Sequence, residues 1–174
     1  FLIIFTLNVS FDQWVQELSN PRVIYAFKIS VFTSFVAAFV NMIMGLLVAW
    51  VLVRYQFPGK RIIDSLIDLP FALPTAVAGI ALTTLYAQNG FFGQWVSFKS
   101  AYTPTGIIIA LLFIGLPFVV RSVQPVLKSL PHDLEEAAFT LGASRLQTVI
   151  KVIIPLLMPA LLSGFTMAFA RGLG

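Results

Sequence analysis

The sequence predicts an all-α, polytopic membrane protein: a single bundle of transmembrane helices, residues 1–174, with one acidic helix outside the bilayer. Three observations predict it. The chain is 59% hydrophobic and only 10% charged, where a soluble domain carries about 25% charged residues. It cannot cover itself with polar surface in water, so the bilayer must be its solvent. Apolar runs at about 24–53, 66–86, 105–122 and 149–174 approach or exceed the roughly 20 residues that cross a bilayer as helix. Seven of the eleven Lys and Arg residues fall in two loops, as Arg54, Lys60 and Arg61 and as Arg121, Lys128, Arg145 and Lys151. By the bias of basic residues toward the cytoplasmic face, both loops lie inside, while loops 8–22 and 88–104 lie outside.

Taken in order, Phe1-Leu2-Ile3-Ile4-Phe5 reads as the tail of an earlier helix, and Gly174 stops inside an apolar run. The chain is therefore expected to be incomplete at both ends. Asn8 to Pro21 reads as a polar connection closed by an Asn20-Pro21 turn. In the first complete span Ala37, Asn41, Gly45 and Ala49 recur every four residues. That small stripe suits close helix packing, or Asn41 borders a transport path. A basic Pro58-Gly59 loop follows. The second span then opens on Pro70 and Pro74, which remove two backbone donors and bend or unwind the helix entrance. Lipid cannot satisfy the freed carbonyls, so this bend should face protein or water. The third span has Pro117 near its end, and the last is interrupted by Pro155 and Pro159.

Between the last two spans lies a soluble-looking stretch, about 131–146. Leu134, Ala137, Ala138 and Leu141 fall at i, i+3, i+4 and i+7 and share one apolar face. Asp133, Glu135 and Glu136 crowd the first turn, where the helix dipole favours them; Asp133 or Ser129 is the candidate N-cap. Gly142 can take the positive φ that ends a helix. Ser144 with Gln147 forms a capping box for the next one.

Several functions are excluded. There is no Cys, so no disulfide or cysteine metal site, and the single His, His132, supports neither a histidine metal cluster nor a His-based triad. His-Glu-x-x-His, Gly-x-Ser-x-Gly and the Gly-x-x-x-x-Gly-Lys-Ser/Thr phosphate loop are absent from the sequence. The chain is thus expected to be non-catalytic and to hold no cofactor itself, and the modest charge of +4 argues against nucleic acid. A passive anion channel is the alternative that needs no docking helix.

Glu136-Ala137-Ala138, Gly142 four positions on, and Val152-Ile153-Ile154-Pro155 together resemble the signature loop of ABC importer membrane subunits, with Val152 and Ile154 as conservative departures. Asp68-Leu69-Pro70-Phe71-Ala72-Leu73-Pro74-Thr75, the Arg54 to Gly59 loop, and Pro117-Phe118-Val119-Val120-Arg121 are similar to sulfate/thiosulfate permeases of the T type; molybdate/tungstate permeases are the nearest competitor. The resemblance implies a type I importer permease in the inner (plasma) membrane, imported anions arriving on a periplasmic sulfate-binding protein, a second homologous permease subunit, and a cytoplasmic ATPase dimer that binds ATP and Mg. It implies that the 131–146 segment is a coupling helix. Leu134, Glu135, Glu136, Ala137, Ala138, Leu141, Gly142, Ala143 and Arg145 would dock the ATPase, with the two Glu at the groove rim and the two Ala allowing close approach. An oxyanion path wants hydroxyls and helix N-termini. Asn41, Thr75, Ser163, Thr166 and Arg171 are the candidates, with Thr83 and Thr84 as further hydroxyls. Arg171 stands out because a charge in an apolar run is costly.

Overall fold

This computed structural model describes residues 11–87, 90, 103–131 and 133–174, and for residues 11–14 and 75–76 the backbone only. The expectations for the Phe1–Phe5 run, for most of loop 88–104 and for His132 lie outside the described residues. Among those described, every regular element is helical.

Helix α1, Phe11–Leu18, occupies what reads in sequence as a polar connection. Asn20 and Pro21 then act as a helix start rather than a free turn. The Asn20 side chain accepts from the Arg22 amide, and Pro21, at the first helical position, lacks only a donor that would be orphaned there anyway. Helix α2 runs Pro21–Arg54 and is long and apolar enough to cross a membrane.

The second expected span is broken. Gly59, at φ +84°, turns the chain into α3, Lys60–Ile67. A single turn, α4, spans Leu69–Ala72, and α5 spans Thr75–Tyr86. Leu73 is extended between them because a proline ring pushes the preceding residue out of the α region. Helix α5 has 12 residues, about 18 Å of helix, well short of the roughly 30 Å hydrocarbon core.

Helix α6, Pro104–Ser129, corrects the expected end near residue 122. It continues through Pro117 and Pro125, so Pro117 is interior, and Arg121 and Lys128 are helical rather than in a loop. Pro117 is fully buried, packed where neighbouring helices hold the segment in place. After the short α7, Asp133–Thr140, helix α8 covers Arg145–Leu173. It includes a wide π turn at Val149–Ile153, where the Ile154 amide reaches back to the Val149 carbonyl. That turn stands just before Pro155, and Pro159 lies inside the helix, so neither proline interrupts the run.

Among the described residues, helices α2, α6 and α8 are the three long enough to span, and they pack in layers. Ser34 of α2 meets Gly172 of α8; Gly115 of α6 touches both Asn41 and Ala168; Val119 of α6 lies against both Gly45 and Gly164. Positions rise together along α2 and α6 and fall along α8, so α2 and α6 are parallel and α8 antiparallel. The chain between Arg54 and Pro104 must therefore cross back over the bundle. The small stripe is the reason for the close approach. Ala37, Asn41, Gly45 and Ala49 are all buried, and a Cβ on Gly45 would stand 2.7 Å from the Val119 side chain. Val119, Val120, Val123, Leu127, Leu157 and Leu161 complete the core, while Phe27, Phe32, Leu47, Ile80 and Leu162 point outward, as helices solvated by lipid do.

Candidate functional site

The C-terminal ends of α2 and α6 lie side by side, and α7 hangs beside them. Helix α7 stops at a Schellman turn. The Gly142 amide donates to the Phe139 carbonyl at 2.9 Å and the Ala143 amide to the Ala138 carbonyl at 3.0 Å, with Gly142 at φ +83°. A left-handed residue at this position is what reverses the chain while satisfying the last carbonyls. The Ser144–Gln147 capping box is present in both directions, Gln147 amide to Ser144 Oγ and Ser144 amide to Gln147 Oε1. Ser129 caps nothing, because its hydroxyl donates to the Val126 carbonyl; Asp133 is the first helical residue.

The hairpin presents an unusual face. Leu141 is 88% exposed and Leu146 68% exposed, and Leu134 and Phe139 are also exposed. Glu136, Ala137 and Arg145 are open beside them. Two of the expected docking residues behave differently. Ala138 is buried within the chain, unlike its exposed neighbours Ala137 and Phe139. Glu135 pairs with Arg54 at 2.5 Å, so its carboxylate holds the hairpin rather than meeting an external rim. Ala143, half-buried at the corner, continues the turn.

A second cluster lies one layer further in, and sequence reasoning missed it. The Arg121 guanidinium donates through Nε and Nη2 to both oxygens of Asp68, at 2.8 and 2.6 Å. Its Nη1 reaches Asp64 Oδ1 at 2.8 Å and Gln124 Oε1 at 2.6 Å. Gln124 in turn donates to Asp64 Oδ1 at 3.1 Å. Bidentate, charge-assisted bonds of this kind are among the stronger polar contacts. They fasten the broken α3–α4 segment to α6. The Gln124 hydrogen bond, with Arg121 and Lys128 behind it, holds the Asp64 carboxyl below its ordinary value. The available signal was the i, i+4 spacing of Asp64 and Asp68 beside an Arg that ends an apolar run.

The expected path residues are not brought together. Asn41 is 2% exposed and donates to the Leu111 carbonyl at 3.2 Å; it clamps α2 to α6 and faces no path. Thr83, Thr84 and Thr166 return their hydroxyls to carbonyls of their own helices, those of Gly79, Ile80 and Leu162. Ser163 and Thr166 sit on the outer face of α8. Thr75 opens α5, and its side chain lies outside the described set. Arg171 neighbours the Ser34–Gly172 layer, about 30 Å along α2 from Arg54. It is exposed in the last turn of α8.

Among the described residues, three helices long and apolar enough to cross a membrane, with an open, acidic hairpin at one end, define a polytopic membrane protein. Residues 41–174 match the family described as binding-protein-dependent transport system inner membrane component, and the chain belongs to that family. It is 48% identical to the sulfate transport system permease protein CysT of Escherichia coli, over 99% of this chain and 64% of that protein. Identity to the protein of the same name from Salmonella typhimurium is 49%, over 96% of this chain and 61% of the relative. A probable sulfate transport system permease of Nephroselmis olivacea is 45% identical, over 95% and 59%. The chain thus spans about three-fifths of the length of these relatives. As a member of this family it is a multi-pass inner-membrane transport subunit.

Proposed function

We propose that the chain is the membrane-spanning part of an ATP-driven importer that carries sulfate or thiosulfate into the cytoplasm. The observation that carries the substrate is the 48% identity, over 99% of the chain, to a protein named as a sulfate permease. The observation that supports coupling is the hairpin. Its exposed Leu141, Leu134 and Phe139 suit an amphipathic helix entering a groove, with Glu136 at the rim. The sequence has no phosphate loop, so ATP and Mg belong to a partner ATPase dimer that docks there. A second homologous permease subunit would complete the pathway, and a periplasmic binding protein would deliver the anion. This subunit then performs no covalent chemistry; it converts a push on α7 into movement of α2 and α6.

The test is radiolabelled sulfate uptake in cells lacking other sulfate importers, with the full-length protein co-expressed with its ATPase. Uptake that needs ATP, that thiosulfate competes away and that molybdate does not, is expected. Uptake that persists without the ATPase overturns the reading.

A further inference from the structure

Beside the Pro58-Gly59 turn, apart from the hairpin, lies a pocket of about 690 Å3 enclosed by the end of α2, the start of α3 and the tail of α6. Lys60, Arg61 and Lys128 line it, with Gln56 and Gln124 among its polar groups. Its one acid, Asp64, is engaged by Arg121 and Gln124. The placement of Lys60 and Arg61 runs against the field of their own helix. A helix N-terminus carries positive potential that favours anions, yet α3 has no acid in its first turn and receives no side-chain cap from Gly59. Lys60 Nζ donates to the Tyr55 carbonyl at 3.0 Å, which leaves two of its three donors unassigned by that bond. Three cations therefore border one cavity. Ile62, which lines it, is 66% exposed, and Ile63 and Leu66 of the same helix are 44% and 56% exposed. The ends of α2 and α6 put the pocket at the membrane–water boundary, where basic pockets meet lipid head groups.

We propose that this pocket binds the phosphate of an anionic phospholipid, with Lys60, Arg61 and Lys128 around the head group and Ile62, Ile63 and Leu66 against the acyl chains. A free tetrahedral oxyanion shares the head-group chemistry but leaves the apolar flank unused, which favours the lipid. The site stands independently of which anion is imported.

The experiment uses the full-length protein in nanodiscs of phosphatidylcholine containing a minor fraction of phosphatidylglycerol, with the phosphatidylglycerol retained after delipidation counted by native mass spectrometry. Wild type is expected to keep it, and a Lys60→Gln/Lys128→Gln variant to lose apparent affinity by about fivefold for each cation removed. Lys151→Gln, at the same end of the bundle but outside the pocket, should match wild type. Equal losses in the pocket variant and in Lys151→Gln would reduce the effect to net charge and overturn the site. Complete displacement of the lipid by millimolar inorganic phosphate, with phosphate bound equally well in pure phosphatidylcholine, would overturn the lipid assignment in favour of a free oxyanion. Should the double Gln variant misfold, Lys60→Arg/Lys128→Arg keeps both charges and must retain the lipid; loss there also overturns the proposal.

Discussion

Arg54, closing α2, and Glu135, in the first turn of α7, meet at 2.5 Å with side chains only 12% and 25% exposed. The Arg54 guanidinium also lies 5.6 Å from the centre of the Trp50 ring. The hairpin is therefore tied to a membrane-crossing helix by charge as well as by the chain that leads into it. A displacement of α7 must either move α2 or break this pair. Coupling of that kind needs a contact shielded from water, since fully exposed ion pairs contribute at most about 1 kcal/mol.

Glu135→Gln is expected to loosen α7 without unfolding the bundle. The pair is less exposed than a surface pair and less enclosed than a buried one, so a cost of about 1–2 kcal/mol is expected. Amide exchange across 133–142 should speed up by roughly tenfold, and exchange in α2 and α6 should stay unchanged. A charge swap, Arg54→Glu with Glu135→Arg, should recover part of the protection. Unaltered exchange in Glu135→Gln would show that the pair does not hold the hairpin.

Gly142→Val tests the corner. A Cβ at Gly142 meets nothing within 4 Å, so the cost of a side chain is purely that of a positive φ, about 1–2 kcal/mol for an ordinary residue and more for a β-branched one. Gly142→Asn should be nearly neutral because Asn tolerates the left-handed region. On the proposed function, ATPase co-purification and uptake should fall in Gly142→Val and in Glu136→Lys and persist in Gly142→Asn, with membrane insertion normal in all three. Normal substrate-stimulated ATP hydrolysis in Gly142→Val and Glu136→Lys would remove the hairpin from the coupling route.

Val119 is wedged between two glycines, and the two contacts differ in kind. From Gly45 an added Cβ meets Val119 Cβ and Cγ1 at 2.7 Å, whereas from Gly164 it meets Val119 Cα at 2.8 Å. Overpacking of this sort costs about 1–3 kcal/mol. Gly45→Ala and Gly164→Ala should both lower the thermal midpoint in detergent. Val119→Ala removes Cγ1, so it should partly rescue Gly45→Ala and leave Gly164→Ala unrescued, because a backbone atom is not trimmed by mutation. Equal rescue of both would contradict this layer packing.

These residues also mark how far the sequence could be read. The apolar runs located α2, α6 and α8, because bilayer thickness imposes a length that composition reveals. Ser144 with Gln147 and Gly142 were legible because caps and left-handed turns are local, fixed by a few consecutive residues. The four-residue stripe through Asn41 was read as close packing or as a path border; its burial follows from a neighbour, Gly115, seventy-odd positions away, which no periodicity reports. The same limit explains Ala138 and Glu135. The helical wheel placed Ala138 on the apolar face and the family resemblance implied a rim position for Glu135, but whether a face turns toward the chain itself or toward a partner is decided by tertiary contacts such as that between Glu135 and Arg54. Pro117 misled in the opposite direction: propensity ends a helix at proline, while α6, with Pro117 buried among neighbouring helices, runs on to Ser129.

The Asp64–Arg121–Gln124 cluster sets a pH dependence whose sign is fixed. The Asp64 carboxyl is held below its usual value of 3.8, first by the Gln124 hydrogen bond and then by Arg121. A carboxylate whose native value is depressed contributes stability that is complete above the unfolded value and is lost as pH falls through the native one. Asp64→Asn should therefore lower the thermal midpoint near neutral pH, and the gap to wild type should close progressively once the pH drops below about 3.8. The Asp64 side chain is 42% exposed and that of Arg121 31%, so screening reduces the effect; the gap at neutral pH should be modest and should narrow in high salt. Arg121→Gln should be the more damaging change. It deprives both carboxylates of their cation and frees α3 and α4 from α6, at an expected cost of about 1–3 kcal/mol. The check is a set of melting curves for wild type, Asp64→Asn and Arg121→Gln across pH. If the Asp64→Asn gap widens on acidification instead of closing, the carboxyl is protonated in the native state and the cluster is not the ion-paired clasp described above.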